Sequence, residues 1–274
     1  MKIRFPSARA RAFTLIELLV VIAIIAVLMA VLFPVVGSAL ERGKVTKEIN
    51  AARQLMVAYL AYPAEHDGEL MLGYDKNIQE VRLPSGKTVG GEMVCRYPWR
   101  LAPYISEQIE EIFLVNDNRK YTAGQGRDSF EYQYRASLHP ALGINAYCIG
   151  GYDDGTGSGN FSTDVVRRLG AASQPASLIV FASARQRTNT KDPAVAGHFL
   201  VTPPRFWRTT WAARYDPKGL SSGFGNVALR WNDQAVCAFL DGHVALLGAE
   251  QLRDMRHWSN TAVETDNAYY TVPR

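Results

Sequence analysis

The sequence is poor in cysteine, with three residues at wide spacing, Cys95, Cys148 and Cys237. It has no CxxC pair and no Cys/His cluster, so it lacks the ligand spacing of a structural zinc site. Two readings of the thiols stay open. They are three small buried hydrophobes, or, in an oxidising compartment, one disulfide of undetermined pairing plus a thiol left over. A GxxxxGKS/T phosphate loop is also absent, and no serine is read as an elbow nucleophile. No internal repeat or low-complexity linker interrupts the chain. The expectation is a protein that is not an enzyme and needs no organic cofactor.

Two further absences are local. The first dozen residues contain no acidic side chain but four basic ones, Lys2, Arg4, Arg9 and Arg11. Setting those four aside from the 30 Lys and Arg leaves 26, against 26 Asp and Glu, so the formal charge of +4 belongs to the N-terminus. A basic end beside an apolar run suits retention on the cytoplasmic face of a membrane. No separate basic patch suggests a nucleic-acid partner. From Leu18 to Phe33 no polar residue occurs at all. With Pro34, Val35 and Val36 the run reaches roughly 28 Å as a helix at about 1.5 Å per residue, close to the hydrocarbon thickness of a bilayer. It is read as membrane-spanning. A cleaved secretory signal is the competing reading, with Gly37-Ser38-Ala39 as its weak site. The rest is ordinary globular composition, 47% hydrophobic and 20% charged overall, which excludes a disordered chain.

Glu17 stands at the edge of the apolar run. A carboxylate near hydrocarbon costs several kcal/mol unless it finds a partner, protonates or reaches the interface. The string Arg9-Ala10-Arg11-Ala12-Phe13-Thr14-Leu15-Ile16-Glu17-Leu18-Leu19-Val20-Val21 resembles the type III signal of type IV prepilins and type II secretion pseudopilins. That resemblance implies cleavage between Ala12 and Phe13 by a membrane-embedded prepilin peptidase, N-methylation of Phe13, and Glu17 as fifth residue of the mature chain. It also implies that Glu17 of a joining subunit pairs with the terminal amine of a neighbour already in the fibre. Ala12 departs from the glycine usual in the family, and Pro34 falls where many members carry a kinking proline. The implied partners are the peptidase, other pilin or pseudopilin subunits and an inner-membrane assembly platform.

Beyond the apolar run, Val45, Ile49, Ala52, Met56 and Tyr59 recur at spacings of four and three and predict one buried helix face, with Glu41, Arg42, Lys44, Lys47 and Glu48 largely off it. The helix is expected to stop near Tyr62-Pro63. Three later strings resemble segments of large pseudopilin-like proteins of planctomycete and verrucomicrobial bacteria: Tyr62 to Leu70, Tyr97 to Ile105, and the closing FLDGHV of Phe239 to Val244. Those relatives often carry an Arg-His pair before the closing hairpin, where this chain has Arg230-Trp231-Asn232-Asp233.

The remainder reads as β-rich. Ser177 to Ser183 predicts a buried strand, and Ala235 to Leu240 with His243 to Leu247 predicts a hairpin turning at Asp241-Gly242. Thr202 to Arg208 and Gly219 to Asn226 read as loops. The expected fold is α+β, a long N-terminal membrane-spanning helix continuing into a globular domain with an antiparallel sheet. The expected organisation is a basic leader at 1–12, a transmembrane or filament-core helix at 13–36, its amphipathic continuation at 37–62 and a periplasmic domain at 63–274.

Candidate chemistry is sparse. His66-Asp67 and Asp241-x-His243 resemble acid/base or metal pairs, but each adjoins a turn glycine and is read as turn architecture. Asp153 and Asp154, in the oxygen-rich run Tyr152 to Asn160, are candidate calcium ligands, since major pseudopilins bind calcium in a loop. The run does not have EF-hand spacing. Trp207, Trp211, Tyr215 and Trp231 either line a glycan or peptide site or fill a core. The leading expectation is a pseudopilin or minor-pilin-like subunit in the inner membrane, N-terminus cytoplasmic. The alternative is a membrane-anchored periplasmic module binding glycans or exported substrates.

Overall fold

A backbone passing through hydrocarbon must satisfy its own hydrogen bonds, and for an unbroken apolar run the helix does so. The computed structural model describes residues 15–156 and 164–273. Its first element, α1, is a 51-residue helix, Leu15–Glu65. The chain divides into two units, Met1–Lys44 and Val45–Arg274.

Among the described residues of the second unit the strands are short: β1 (Tyr74–Asp75), β2 (Glu80–Arg82), β3 (Thr88–Gly90), β4 (Leu142–Ile144), β5 (Tyr152–Asp153), β6 (Ile179–Ser183), β7 (Arg205–Phe206), β8 (Thr209–Thr210), β9 (Gln234–Phe239) and β10 (Val244–Gly248). Four form an antiparallel sheet in the order β10-β9-β6-β4, with Leu247 opposite Ala235, Phe181 opposite Ala238 and Leu142 opposite Ser183. Every residue of β6 is buried, and so is all of β9 after Gln234. Central strands covered on both faces read as continuous apolar runs, which is why the sequence exposes them. The β9–β10 hairpin closes through Gly242 at φ 94°, a conformation glycine adopts without steric cost. Two other pairs, β2–β3 and β7–β8, are antiparallel, whereas β1–β5 is parallel and sets Asp75 opposite Asp153. The mixed α/β architecture and the antiparallel sheet match the expected fold.

The part of α1 within this unit packs on the sheet. Ala51, Ala52, Leu55, Met56, Ala58 and Tyr59 are buried, and Tyr59 meets Phe181 edge to face at 5.4 Å between centroids. Phe181 and Ser183, two apart on β6, share one strand face. Ser183 donates its hydroxyl proton to Glu48. Here the sequence reading needs correction, because Glu48 is fully buried rather than off the seam.

The helix also outlasts Pro63, ending at Glu65. Its last turn keeps local partners: Gly68 N–H donates to the Pro63 carbonyl at 2.8 Å, and His66 Nδ1 meets the Tyr62 carbonyl at 2.9 Å. Two expected loops likewise contain regular pieces, β7 within 202–208 and a 3-10 turn, Ser221–Phe224, within 219–226.

Gly150 shows how closely the loops approach. Its φ is 75°, and an added Cβ would lie 2.1 Å from the Met71 carbonyl oxygen and 3.1 Å from the Tyr59 hydroxyl. Gly150→Ala is therefore expected to destabilise the protein by about 2 kcal/mol or more. A thermal melt of the variant checks it, and an unchanged midpoint would contradict this packing.

Candidate assembly segment and polar clusters

In the first unit the large apolar side chains from Leu15 to Val36 are between 44% and 80% exposed. Consecutive helical residues point about 100° apart, so exposure of Leu18, Leu19, Val20 and Val21 together means an apolar surface on every side. Water does not tolerate such a surface. It calls for lipid or for neighbouring helices. α1 is long and apolar enough to cross a membrane. Glu17 is the acidic residue of its first turn, two residues after Leu15. Ala12 and Phe13 lie outside the described residues, and Pro34 lies inside α1.

The prokaryotic N-terminal methylation motif matches residues 7–33, the segment that holds both the expected cleavage point and Glu17. The chain carries a type IV prepilin-like signal. This signal marks a type IV pilin- or pseudopilin-like substrate of prepilin peptidase and implies assembly with other pilin-type subunits. No curated protein and no solved structure matches the chain. The prepilin-like signal is thus the shared part, and the globular unit must be read from its own geometry.

In that unit the two Asp/His strings form turns. Asp67 and Gly68 have φ of 50° and 80°, and the His66 ring stacks on Tyr62 at 3.6 Å. Asp241 accepts from the His243 backbone N–H at 3.1 Å and from its ring Nδ1 at 2.6 Å, and the His243 ring stacks on Phe239. These bonds, with the neighbouring imidazole, hold the Asp241 carboxyl below its usual range against the opposing cost of burial. Asp153 accepts from Asn77 Nδ2 and Gly155 N–H, and Asp154 from the Thr156 amide and hydroxyl. The Thr156 bonds lower the Asp154 pKa. Among the described residues no three His, Cys, Asp or Glu side chains are grouped to hold a metal. Residues 157–160 of that run lie outside the description.

The three thiols are buried and unpaired, and desolvation pushes the Cys148 and Cys237 pKa values up. Trp211 and Trp231 are buried, correcting their candidacy for a binding face, whereas Trp207 is exposed. The sequence reading passed over one string, Gly219-Leu220-Ser221-Ser222-Gly223, which has GxSxG spacing. Here it forms a 3-10 turn rather than a strand-to-helix elbow, and the buried Ser221 hydroxyl donates to Asn226 Oδ1 at 2.7 Å. Sequence reasoning also missed several buried charges, Glu48 and Arg100 among them, because each side chain reads as surface until the chain is folded.

Proposed function

We propose that the chain is a pseudopilin- or minor-pilin-like structural subunit of a type II secretion or type IV pilus-like system. The carrying observation is the coincidence of the prepilin-like signal at 7–33 with a helix apolar on every side. In this reading the peptidase cuts between Ala12 and Phe13 and the new Phe13 amine is methylated. The helix then anchors the subunit in the inner membrane until it packs among other subunits, while the globular unit lies in the periplasm or on the filament surface. The part such a subunit plays is structural: it supplies a buried helix and an outer domain and does no chemistry.

The test is the mature N-terminus. Full-length protein expressed with its prepilin peptidase should, by mass spectrometry, begin at an N-methylated Phe13. Without the peptidase it should retain Met1. A chain that keeps Met1 in the presence of the peptidase, or one that starts after Gly37 as a cleaved secretory signal would leave it, overturns the reading.

A further inference from the structure

Arg100 sits in a short helix, Tyr97–Leu101, and is only 8% exposed. Its Nη2 donates to the Leu72 carbonyl at 2.6 Å and the Cys95 carbonyl at 3.1 Å. Its Nε is buried without a partner, and among the described residues neither Nη1 nor any carboxylate closes an ion pair with it. The other buried arginines, Arg96 and Arg185, also leave Nε unpaired, but both use each terminal nitrogen: Arg96 pairs with Glu92 and bonds Ser137, and Arg185, with carbonyls alone as Arg100 has, bonds those of Asp216, Pro217 and Gly219. Desolvation pulls the Arg100 pKa down to about 10, opposed first by the more distant Asp75. A buried cation with no carboxylate in contact is costly to desolvate. A fold that keeps one beside an open cleft is poised for an anion.

That cleft has a volume of about 350 Å³, near the lower end of the range of small-molecule sites, roughly 300–1,000 Å³. Arg100 shares its lining with Glu65 and His66 from the end of α1 and the residue after it, with Glu80 of β2, and with Tyr62 and Tyr104. Tyr104 donates its hydroxyl to Glu65 Oε2 at 2.7 Å, fixing that carboxylate at the rim. His66 has Nδ1 against the Tyr62 carbonyl at 2.9 Å. The lining therefore joins one desolvated cation to two carboxylates on separate elements. A plain anion drawn to Arg100 meets repulsion from Glu65 and Glu80, and a plain cation meets it from Arg100. A molecule carrying both charges satisfies all three.

We propose that this cleft binds a small zwitterion of the amino-acid or short-peptide class, its carboxylate on Arg100 and its ammonium between Glu65 and Glu80. The volume holds one or two residues, and Tyr62 and Tyr104 offer aromatic surface to the ammonium end. A pilin-type subunit needs no such site in order to assemble, so the inference stands apart from the filament role.

Calorimetric titration of the full chain in lipid nanodiscs decides it, with alanyl-alanine, N-acetyl-alanyl-alanine and alanyl-alanine amide as probes. The free dipeptide should bind, and each blocked form should bind more weakly by roughly tenfold or more, the worth of one charge-assisted contact. Arg100→Gln should abolish dipeptide binding. Glu80→Gln, on an exposed strand, should weaken it by roughly tenfold while leaving the melting midpoint in place. The second variant decides the matter even if Arg100→Gln loosens the loop carbonyls and unfolds. No heat from the dipeptide, equal affinity for the three probes, or unaltered affinity in Glu80→Gln overturns the proposal.

Discussion

Glu17→Val is expected to leave the protein membrane-inserted and cleaved while cutting its incorporation into filaments by roughly tenfold or more, the equivalent of about 1.4 kcal/mol per tenfold. The argument starts from solvation. Beside an apolar helix surface a carboxylate is expensive alone, and under the proposed processing the amine freed on Phe13 would be expensive there too. Brought together across a subunit boundary in a low-dielectric setting, each cancels the cost of the other, and only the correct axial stagger does so. The pair then sets register more than it adds net stability. Valine removes the cost and the register signal together, so insertion is preserved and ordered addition is lost. Glu17→Asp, one methylene shorter, should fall between the two. Membrane fractionation with N-terminal mass spectrometry reads the first half, and the amount of subunit in sheared filaments reads the second. Incorporation of Glu17→Val at the parental level would remove Glu17 from assembly.

The sequence made some of these features legible and hid others for physical reasons. The anchoring helix and its signal are local, written in consecutive residues, and solvent decides their meaning without help from the rest of the chain. β6 and the β9–β10 hairpin were also legible, since strands covered on both faces must be apolar and Asp241-Gly242 supplies the turn. The end of α1 was not, because the proline signal at Pro63 is overridden by contacts after it: Gly68 N–H donates to the Pro63 carbonyl, and the His66 ring folds back on Tyr62 and its carbonyl. The parallel β1–β5 pair joins two-residue strands far apart in the chain, too short for any periodicity to register. Arg100 is a cation in the string Tyr97 to Ile105, where nothing local marks it as buried, and its burial goes with the loop carbonyls it staples. Glu48 is the sharpest case. By type it belongs in water, and what holds it inside are Ser183 and Arg230, both distant in sequence.

Arg230→Met is accordingly expected to destabilise the globular unit by about 3–5 kcal/mol, the usual cost of stranding one member of a buried pair. Glu48 is fully buried; Ser183 donates to its Oε1, and its Oε2 has no hydrogen bond and faces Arg230 Nη1 at 3.9 Å. Arg230 also donates through Nη2 to the Ala141 and Ala184 carbonyls, which belong to the turn into β4 and the residue after β6. Methionine fills similar volume but leaves a desolvated carboxylate with only a hydroxyl for company. Glu48→Gln keeps an acceptor for Ser183 and removes the charge, so it should cost less than Arg230→Met. Adding Glu48→Met to Arg230→Met removes the stranded charge altogether. The double variant should then be more stable than Arg230→Met alone, a coupling of opposite sign to simple loss of contacts. Urea unfolding of the full chain, Glu48→Met, Arg230→Met and the double variant in one detergent measures all four corners of the cycle, with Glu48→Gln measured beside them. If the two methionine substitutions merely add, or if Arg230→Met unfolds with the parent, Glu48 and Arg230 are not acting as a pair. The helix would then owe its seat on β6 to apolar contacts such as Tyr59 on Phe181.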